Sequence, residues 1–371
     1  MKKVFKIIGF VLLTIILILI IFLQVSFDFA SKKCNDKYDY VFKDVITNMD
    51  AKIVNIAMFG SHDSFSDGIK YISKPNYNEE GITSNKLVNF FAKGLVKKMS
   101  KSQVVGAKEQ LYAGVRYFDV RVSKVDDIYY TCHGYLSNKL DGYLLEIVEF
   151  LESHPGEFII FDLQHFYNKD GKVGNYDNEE YDKLIDYIKT IKTSNGKSLI
   201  DFISYDSNID SLDSLTYGKI TDNLNKASVI MLGKIYDNPY FYFRDKDASY
   251  KRTYYENIFS LWHETNSLDN LKEEIKEERD YFKENDYSNV LRVNQAQRTG
   301  FIKNIKIIKS ILSWNLLNMA KRTNKELIKD KNEFMDYLKY MPIFMVDYVT
   351  TNRGNFNELA NSYIIEFNKG L

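Results

Sequence analysis

The feature that most narrows the fold is an alternation of short, continuous apolar runs with longer amphipathic stretches, repeated along most of the chain. "AKIVNIAMF" (51–59), "GVRYFDVRV" (114–122), "IYYTCHG" (128–134), "FIIFDL" (158–163), "ASVIML" (227–232), "SNVLRVNQ" (288–295) and "MPIFMVDYV" (341–349) have the length and the β-branched or aromatic content of strands. "FIIFDL" lacks polar alternation, the signature of a strand covered on both faces, as in parallel sheets. Between the runs lie helical patterns. In "LDGYLLEIVEFLESHPGE" Asp141 is placed to cap the N-terminus, Leu144, Val148 and Leu151 share one face, and Pro155-Gly156 ends the helix. Further helices are expected over 271–282, 303–321 and 324–339. Strands alternating with helices imply an α/β fold with a parallel sheet and helices outside. A folded part of about 330 residues favours a closed, irregular TIM-type β/α barrel over an open doubly wound sheet. That barrel is assigned to residues 51–371.

The N-terminus differs from the rest. Residues 7–27 carry no charge and follow Lys2, Lys3 and Lys6. Such a run is long enough to cross a bilayer as one transmembrane helix. The lysines hold its short leading end in the cytoplasm, which sends the body outside the cell. A cleaved signal peptide and secretion form the competing reading, but "SFDFASKKC" offers no small-x-small cleavage site. Residues 1–30 are therefore expected to be a single-pass cell-membrane anchor, and 31–50 a juxtamembrane linker. Two cysteines, Cys34 and Cys132, show no metal-ligand spacing, and their pairing stays open. Lys plus Arg and Asp plus Glu both total 50, so the net charge is zero and the broad basic footprint that nucleic acid requires is missing. Nothing in the sequence fixes an oligomeric state.

In a parallel barrel the C-terminal ends of the strands gather at one mouth. His62 and Asp63 follow the first run, Asp119 and Arg121 end the second, His133 ends the next and Asp347 ends the last. Two of the five histidines thus converge with an arginine and carboxylates. That set suits phosphodiester cleavage: one imidazole removes a proton from the attacking hydroxyl, and the other protonates the leaving oxygen. A guanidinium balances the charge that builds on phosphorus.

The ordered motifs "GSHDS", "QLYAGVRYFDVRV", "HG" and "HPGEFIIFDLQHFY" resemble the X domain of phosphatidylinositol-specific phospholipases C, in the bacterial enzymes and the X-domain-containing proteins of animals. The similarity is dense over 53–167 and returns in "IFMVDYVTTNRGNFNELANSYI". The resemblance implies His62 as general base, His133 as general acid and Arg121 as the phosphate-binding arginine. It makes Asp63 the carboxylate coupling that arginine to the acid side, and Asp347 the carboxylate orienting the base. Asp119, Lys234, Gln164 and His165 are the residues it would bring to the substrate. Lys234 stands where bacterial members place a basic residue against inositol. Gln164 replaces a bacterial lysine, which leaves the headgroup open. Calcium-dependent relatives have Glu-x-Asp where this chain has Asp119-Val120-Arg121, so no metal or other cofactor is expected. The implied partner is a phospholipid in a membrane.

Two other readings remain. A metal-dependent glycerophosphodiesterase or sphingomyelinase D-like barrel would need a carboxylate pair where Arg121 stands. A non-catalytic lipid- or glycan-binding module is allowed by Gln164 and opposed by His62 with His133. Of two amphipathic segments, "NKLVNFFAKGLVKKMSK" (85–101) suits either a membrane interface or the barrel wall, and "IKNIKIIKSILSWNLLNMAKR" (302–322) suits the barrel wall. His154 and His263 are expected in loops or at the surface.

Overall fold

The computed structural model describes residues 2–29, 41–70, 72–79, 97–168, 171–172, 177–209, 211–244, 257–299, 316–351 and 355–371, with side chains of the first helix described over 3–19. Its strands are β1 (Met58–Ser61), β2 (Val115–Val125), β3 (Ile128–His133), β4 (Tyr135–Lys139), β5 (Phe158–Asn168), β6 (Gly171–Lys172), β7 (Ser228–Gly233), β8 (Tyr242–Phe243), β9 (Ile258–Ser260), β10 (Leu291–Gln295) and β11 (Ile343–Val346). They form one sheet in the order β8-β7-β5-β2-β1-β11-β10-β9, with every neighbouring pair on this path parallel. β3 and β4 continue from β2 as antiparallel ribbons, and β6 pairs antiparallel with β5.

The α/β reading and its parallel sheet hold, but the closed barrel does not. Among the described residues β8 and β9, at the two ends of the path, do not pair. The sheet is a curled parallel half-barrel. β8 has two residues and β9 three, too few to offer a continuous row of donors and acceptors across the gap. There the Asn257 side chain donates to the Phe243 carbonyl at 2.8 Å, so a side chain stands where a ladder would run.

Other expectations also shift. Residues 53–55, read as part of the first strand, form a 3-10 turn. The third run is not a barrel strand but the return arm of a hairpin with β2, because Asp126 and Asp127, both at positive φ, reverse the chain. Lys139, not Asp141, occupies the N-cap of the helix Leu140–Ser153, and the Asp141 carboxylate accepts from the Tyr187 hydroxyl instead. The helix expected over 324–339 is two, Leu316–Leu327 and Lys331–Tyr340. Asp330 breaks it by capping the backbone N–H groups of Asn332 and Glu333. Residues 85–96 and 302–315 of the amphipathic segments lie outside the described residues.

Helices such as Leu140–Ser153 and Phe356–Asn368 bury one face on the sheet through Leu144, Ile147 and Leu151, and through Phe356, Ala360 and Ile364. Gly114, at φ +94, enters β2 beneath that last helix, and a Cβ there would stand 2.1 Å from Asn361 Oδ1. Lys2–Phe29 is one helix, and its apolar side chains from Val4 to Leu19 stand 45 to 71 % exposed. Among the described residues no helix is long and apolar enough to cross a membrane, and part of the expected anchor (20–30) lies outside the described side chains. Cys132 is a buried free thiol, and Cys34 lies outside the described residues.

Candidate active site

β1 runs between β2 and β11, so whatever leaves its C-terminal end is set between the middle of β2 and the end of β11. Ser61 is level with Phe118 on one side and Val346 on the other. The next residues, His62 and Asp63, therefore stand beside Asp119 and Asp347. The backbone fixes them: His62 N donates to the Val346 carbonyl at 3.1 Å, and Asp63 N donates to Asp119 Oδ2 at 3.1 Å. Asp63 sits at φ +42, a left-handed position that aspartate tolerates better than most residues and that turns its carboxylate back into the mouth.

His62 Nδ1 lies 2.7 Å from Asp347 Oδ1, which leaves Nε2 facing the cleft, 3.5 Å from Arg121 Nη2. Asp63 joins the rest. Its Oδ1 is 2.5 Å from Arg121 Nε, and its Oδ2 is 2.9 Å from His133 Nδ1 and 3.4 Å from His62 Nε2. His133 Nδ1 also meets the Ser100 carbonyl at 2.9 Å, so its Nε2 is left for the cleft. The two imidazoles are 6.2 Å apart between centroids and inclined at 71°. His62, Arg121, His133 and Asp347 line a cleft of about 470 Å³.

Charge follows from this geometry. Burial alone would lower the His62 pKa, but the carboxylates of Asp63, Asp347 and Asp119 raise it to about 9. Burial also opposes charge on His133, and Asp63 more than restores it, so its pKa is raised too. Burial would push Asp63 up, yet Arg121, His133 and His62 hold it well below the usual carboxylate range. Asp119 and Asp347 are raised by burial. In the free protein at neutral pH His62 is thus an imidazolium. Its folded pKa exceeds the 6.5 of the unfolded chain, so its contribution to stability is complete below about 6.5 and is lost as pH rises through about 9. Asp347→Asn removes one of the carboxylates that raise it. The expected result is a His62 titration shifted downward, with alkaline destabilisation beginning at lower pH, measured by imidazole NMR and by melting temperature against pH.

The expected pentad of His62, Asp63, Arg121, His133 and Asp347 is brought together. Asp119 lies with it, wholly buried beside the His62–Asp63 turn rather than on the cleft surface. Gln164 and His165 both line the cleft although they are consecutive on one strand. A register shift places Val120 opposite Leu163 and Arg121 opposite His165, and this bulge lets neighbours face the same side. Lys234 is not brought in: it follows β7, its backbone N–H bonded to the Tyr181 hydroxyl, and it is absent from the described lining. His263, expected in a loop or at the surface, does lie in the loop after β9 but is buried between Glu274 and Glu278 at 3.2 and 3.1 Å.

Several supporting residues carried no sequence signal, because they lie in stretches without periodic pattern. Ser102 Oγ donates to Asp63 Oδ2 at 3.0 Å. Gln103 Nε2 donates to both the His62 and Val346 carbonyls at 3.0 Å, and its Oε1 accepts from Val349 N at 3.1 Å, so it braces the His62 turn to β11. Ser260, Trp262, Gln295 and Gln297 form the opposite wall of the cleft.

His62, Asp63 and Asp119 each offer a ligand atom within 4.8 Å of one another, the minimum for a metal site. The donor set does not fit a divalent cation. Both oxygens of Asp63 already face cationic groups, and an ion drawing on His62 Nε2 would sit against the Arg121 guanidinium. What the arrangement offers is a place for an anion, with two ring nitrogens able to move protons at either side of it.

The curled parallel sheet has the fold of the bacterial phosphatidylinositol-specific phospholipases C. The phosphatidylinositol-specific phospholipase C of S. aureus superposes with a TM-score of 0.59 over 88 % of this chain and 96 % of its own at 15 % identity, and the Listeria monocytogenes enzyme with 0.53 over 86 % and 95 % at 17 %. These likenesses establish the fold. The chain is a sequence relative of the PI-PLC X domain-containing proteins: it is 39 % identical over 120 residues to protein 2 of Homo sapiens, and 37 % over 146 residues to protein 3 of Bos taurus. Those matches take in 31 % and 38 % of this chain and 39 % and 43 % of the relatives, so the chain spans about two fifths of the length of the curated relatives it matches. No protein-family profile matches the chain.

Proposed function

We propose that the chain is a metal-independent phosphodiesterase of the phospholipase C type, acting on a phosphatidylinositol-type lipid. The observation that carries the reading is Asp63, whose two oxygens tie Arg121 to His133 while Asp347 orients His62. His62 Nε2 takes the proton from the headgroup hydroxyl adjacent to the ester, and that oxygen attacks phosphorus. His133 Nε2 gives its proton to the diacylglycerol oxygen as the P–O bond breaks. Arg121 meets the charge on the non-bridging oxygens. The products are diacylglycerol and a cyclic inositol phosphate.

In this reading the uncharged stretch 7–27, part of whose side chains lie outside the described residues, serves as a single-pass anchor in the cell membrane, with the catalytic body outside. Its sequence between Lys6 and Asp28 is uncharged, and the described apolar side chains along it are exposed rather than packed. Tethering sets the mouth at high local concentration of lipid without dedicated affinity. The test uses the full chain in phosphatidylinositol vesicles with chelator present: diacylglycerol release is expected, together with a cyclic phosphate. Turnover that appears only with added calcium overturns the mechanism. Binding without turnover across a panel of phosphodiesters favours a lipid-binding module.

A further inference from the structure

Two carboxylates line the cleft among its described residues, Asp347 and Glu79. Asp347 is committed to His62, but a second carboxylate in a cleft built for an anionic phosphate works against binding unless it does something else. Glu79 lies on the loop after β1 and closes over the end of β3. Its Oε2 accepts from the backbone N–H of Gly134 at 2.7 Å, and Asn76 N donates to the Gly134 carbonyl at 2.9 Å. Gly134, at φ +67, is the turn residue directly after His133. The loop therefore holds both backbone polar groups of Gly134, the turn residue that follows His133. It is itself clasped to β2, with Asn76 Oδ1 accepting from Ser123 Oγ at 2.8 Å and Asn78 Nδ2 donating to the Lys124 carbonyl at 3.0 Å.

We propose that Glu79 is a positioning residue for the general acid: it fixes the turn that carries His133, and its charge helps keep that imidazole protonated until the leaving oxygen takes the proton. Glu79 exchanges no proton itself. The charged groups around His133 are Asp63 and Glu79, which favour the imidazolium, Arg121, which opposes it, and the His62 ring at 6.2 Å with Asp347 behind it. Asp63 is shared with Arg121, so part of its charge is already spent, and Glu79 supplies a further negative charge near the ring. The inference rests on the reading of His133 as general acid.

Two variants separate position from charge. Glu79→Gln keeps an oxygen for the Gly134 N–H and removes the charge, whereas Glu79→Ala removes both. With the full chain in phosphatidylinositol vesicles, Glu79→Ala is expected to lower kcat about tenfold or more, part of what a positioned general acid contributes. Glu79→Gln should recover most of that rate on the acid side of the profile, with its alkaline limb moved down. Imidazole NMR, with the His133 signal identified by its loss in His133→Ala, should show the His133 titration of Glu79→Gln lowered by about half a pH unit or more. An unmoved His133 titration overturns the proposal, and so does a Glu79→Ala enzyme with unaltered kcat. If no variant and not the parent protein turns over lipid, the phospholipase reading fails on its own, and the NMR shift still decides whether Glu79 holds charge on His133.

Discussion

Under the proposed phospholipase mechanism, replacing His62 by alanine should leave a folded protein whose release of diacylglycerol from phosphatidylinositol is lower by about three to four orders of magnitude, since a positioned general base contributes about 10²–10⁴ and His62 would also take part in a coupled unit. His62 Nε2 is held by Asp347 on the opposite ring nitrogen and by the Gln103 brace on its carbonyl, so no neighbour can swing into its place. His133→Ala should cost a similar factor, and the double variant little more than either. The two imidazoles serve one proton transfer chain, and a chain broken once is broken. Additive losses would mean that the residues act in separate steps. Chelated vesicles provide the measurement, and circular dichroism melts show that the fold survives. Residual activity within about tenfold of the parent would remove His62 from the role of base.

The acid form of His62 makes the pH dependence informative. A base with a pKa of about 9 is neutral in about one molecule in a hundred at pH 7. The productive state, His62 neutral and His133 charged, has the same net charge as the state with the proton on the other ring. A profile of kcat/KM is therefore bell-shaped whichever ring holds it, and its limbs belong to the pair. A limb near pH 9 that moves down in Asp347→Asn identifies the His62 contribution, because Asp347 is in contact with His62 and not with His133.

Much of the site could be read from the sequence because it hangs on strand ends. Where an apolar run stops and His62 or Asp347 begins, a parallel sheet dictates which side of the molecule that residue faces, whereas Asp119 and Arg121, expected to end the second run, stand inside β2, which continues to Val125. The order of the runs supplied the remainder, and β1, β2 and β11 do lie side by side. What could not be read depends on distant partners. Closure of the barrel is decided at β8 and β9, two strands so short that they leave no periodic trace. Gln164 and His165 share the cleft through a bulge, which a strand's alternation would deny. Lys234 was placed by analogy and follows β7 without reaching the described lining, while Gln103 and Glu79 act through backbone atoms far along the chain. His263 is buried because two glutamates of one helix, Glu274 and Glu278, enclose its ring, a pairing that no local pattern announces.

Arg121→Ala should lower kcat/KM by about three orders of magnitude or more and should also destabilise the fold, which distinguishes it from the histidine variants. The first loss is catalytic. The guanidinium is a cation that proton transfer does not consume, since burial works against its charge but the neighbouring carboxylates more than restore it, so it stays charged throughout. The second arises because Asp63 is 2 % exposed and would remain buried without the contact on its Oδ1, its Oδ2 still facing two imidazoles and the Ser102 hydroxyl. Breaking a buried ion pair at one partner costs about 3–5 kcal/mol. Arg121→Lys restores charge without the fork that reaches Asp63 through Nε and the cleft through Nη2, so it should recover stability better than rate. Asp63→Ala alone strips His133 and Arg121 of their shared anchor. The Asp63→Ala/Arg121→Ala double variant should be more stable than the sum of its parts predicts, because neither member of the pair is left buried without the other. Denaturant melts and chelated lipid turnover on the same four proteins give both readouts. A simple sum in stability would mean that the 2.5 Å contact is not an energetic pair, and an Arg121→Lys enzyme with the parent's kcat/KM would reduce the guanidinium to a point charge.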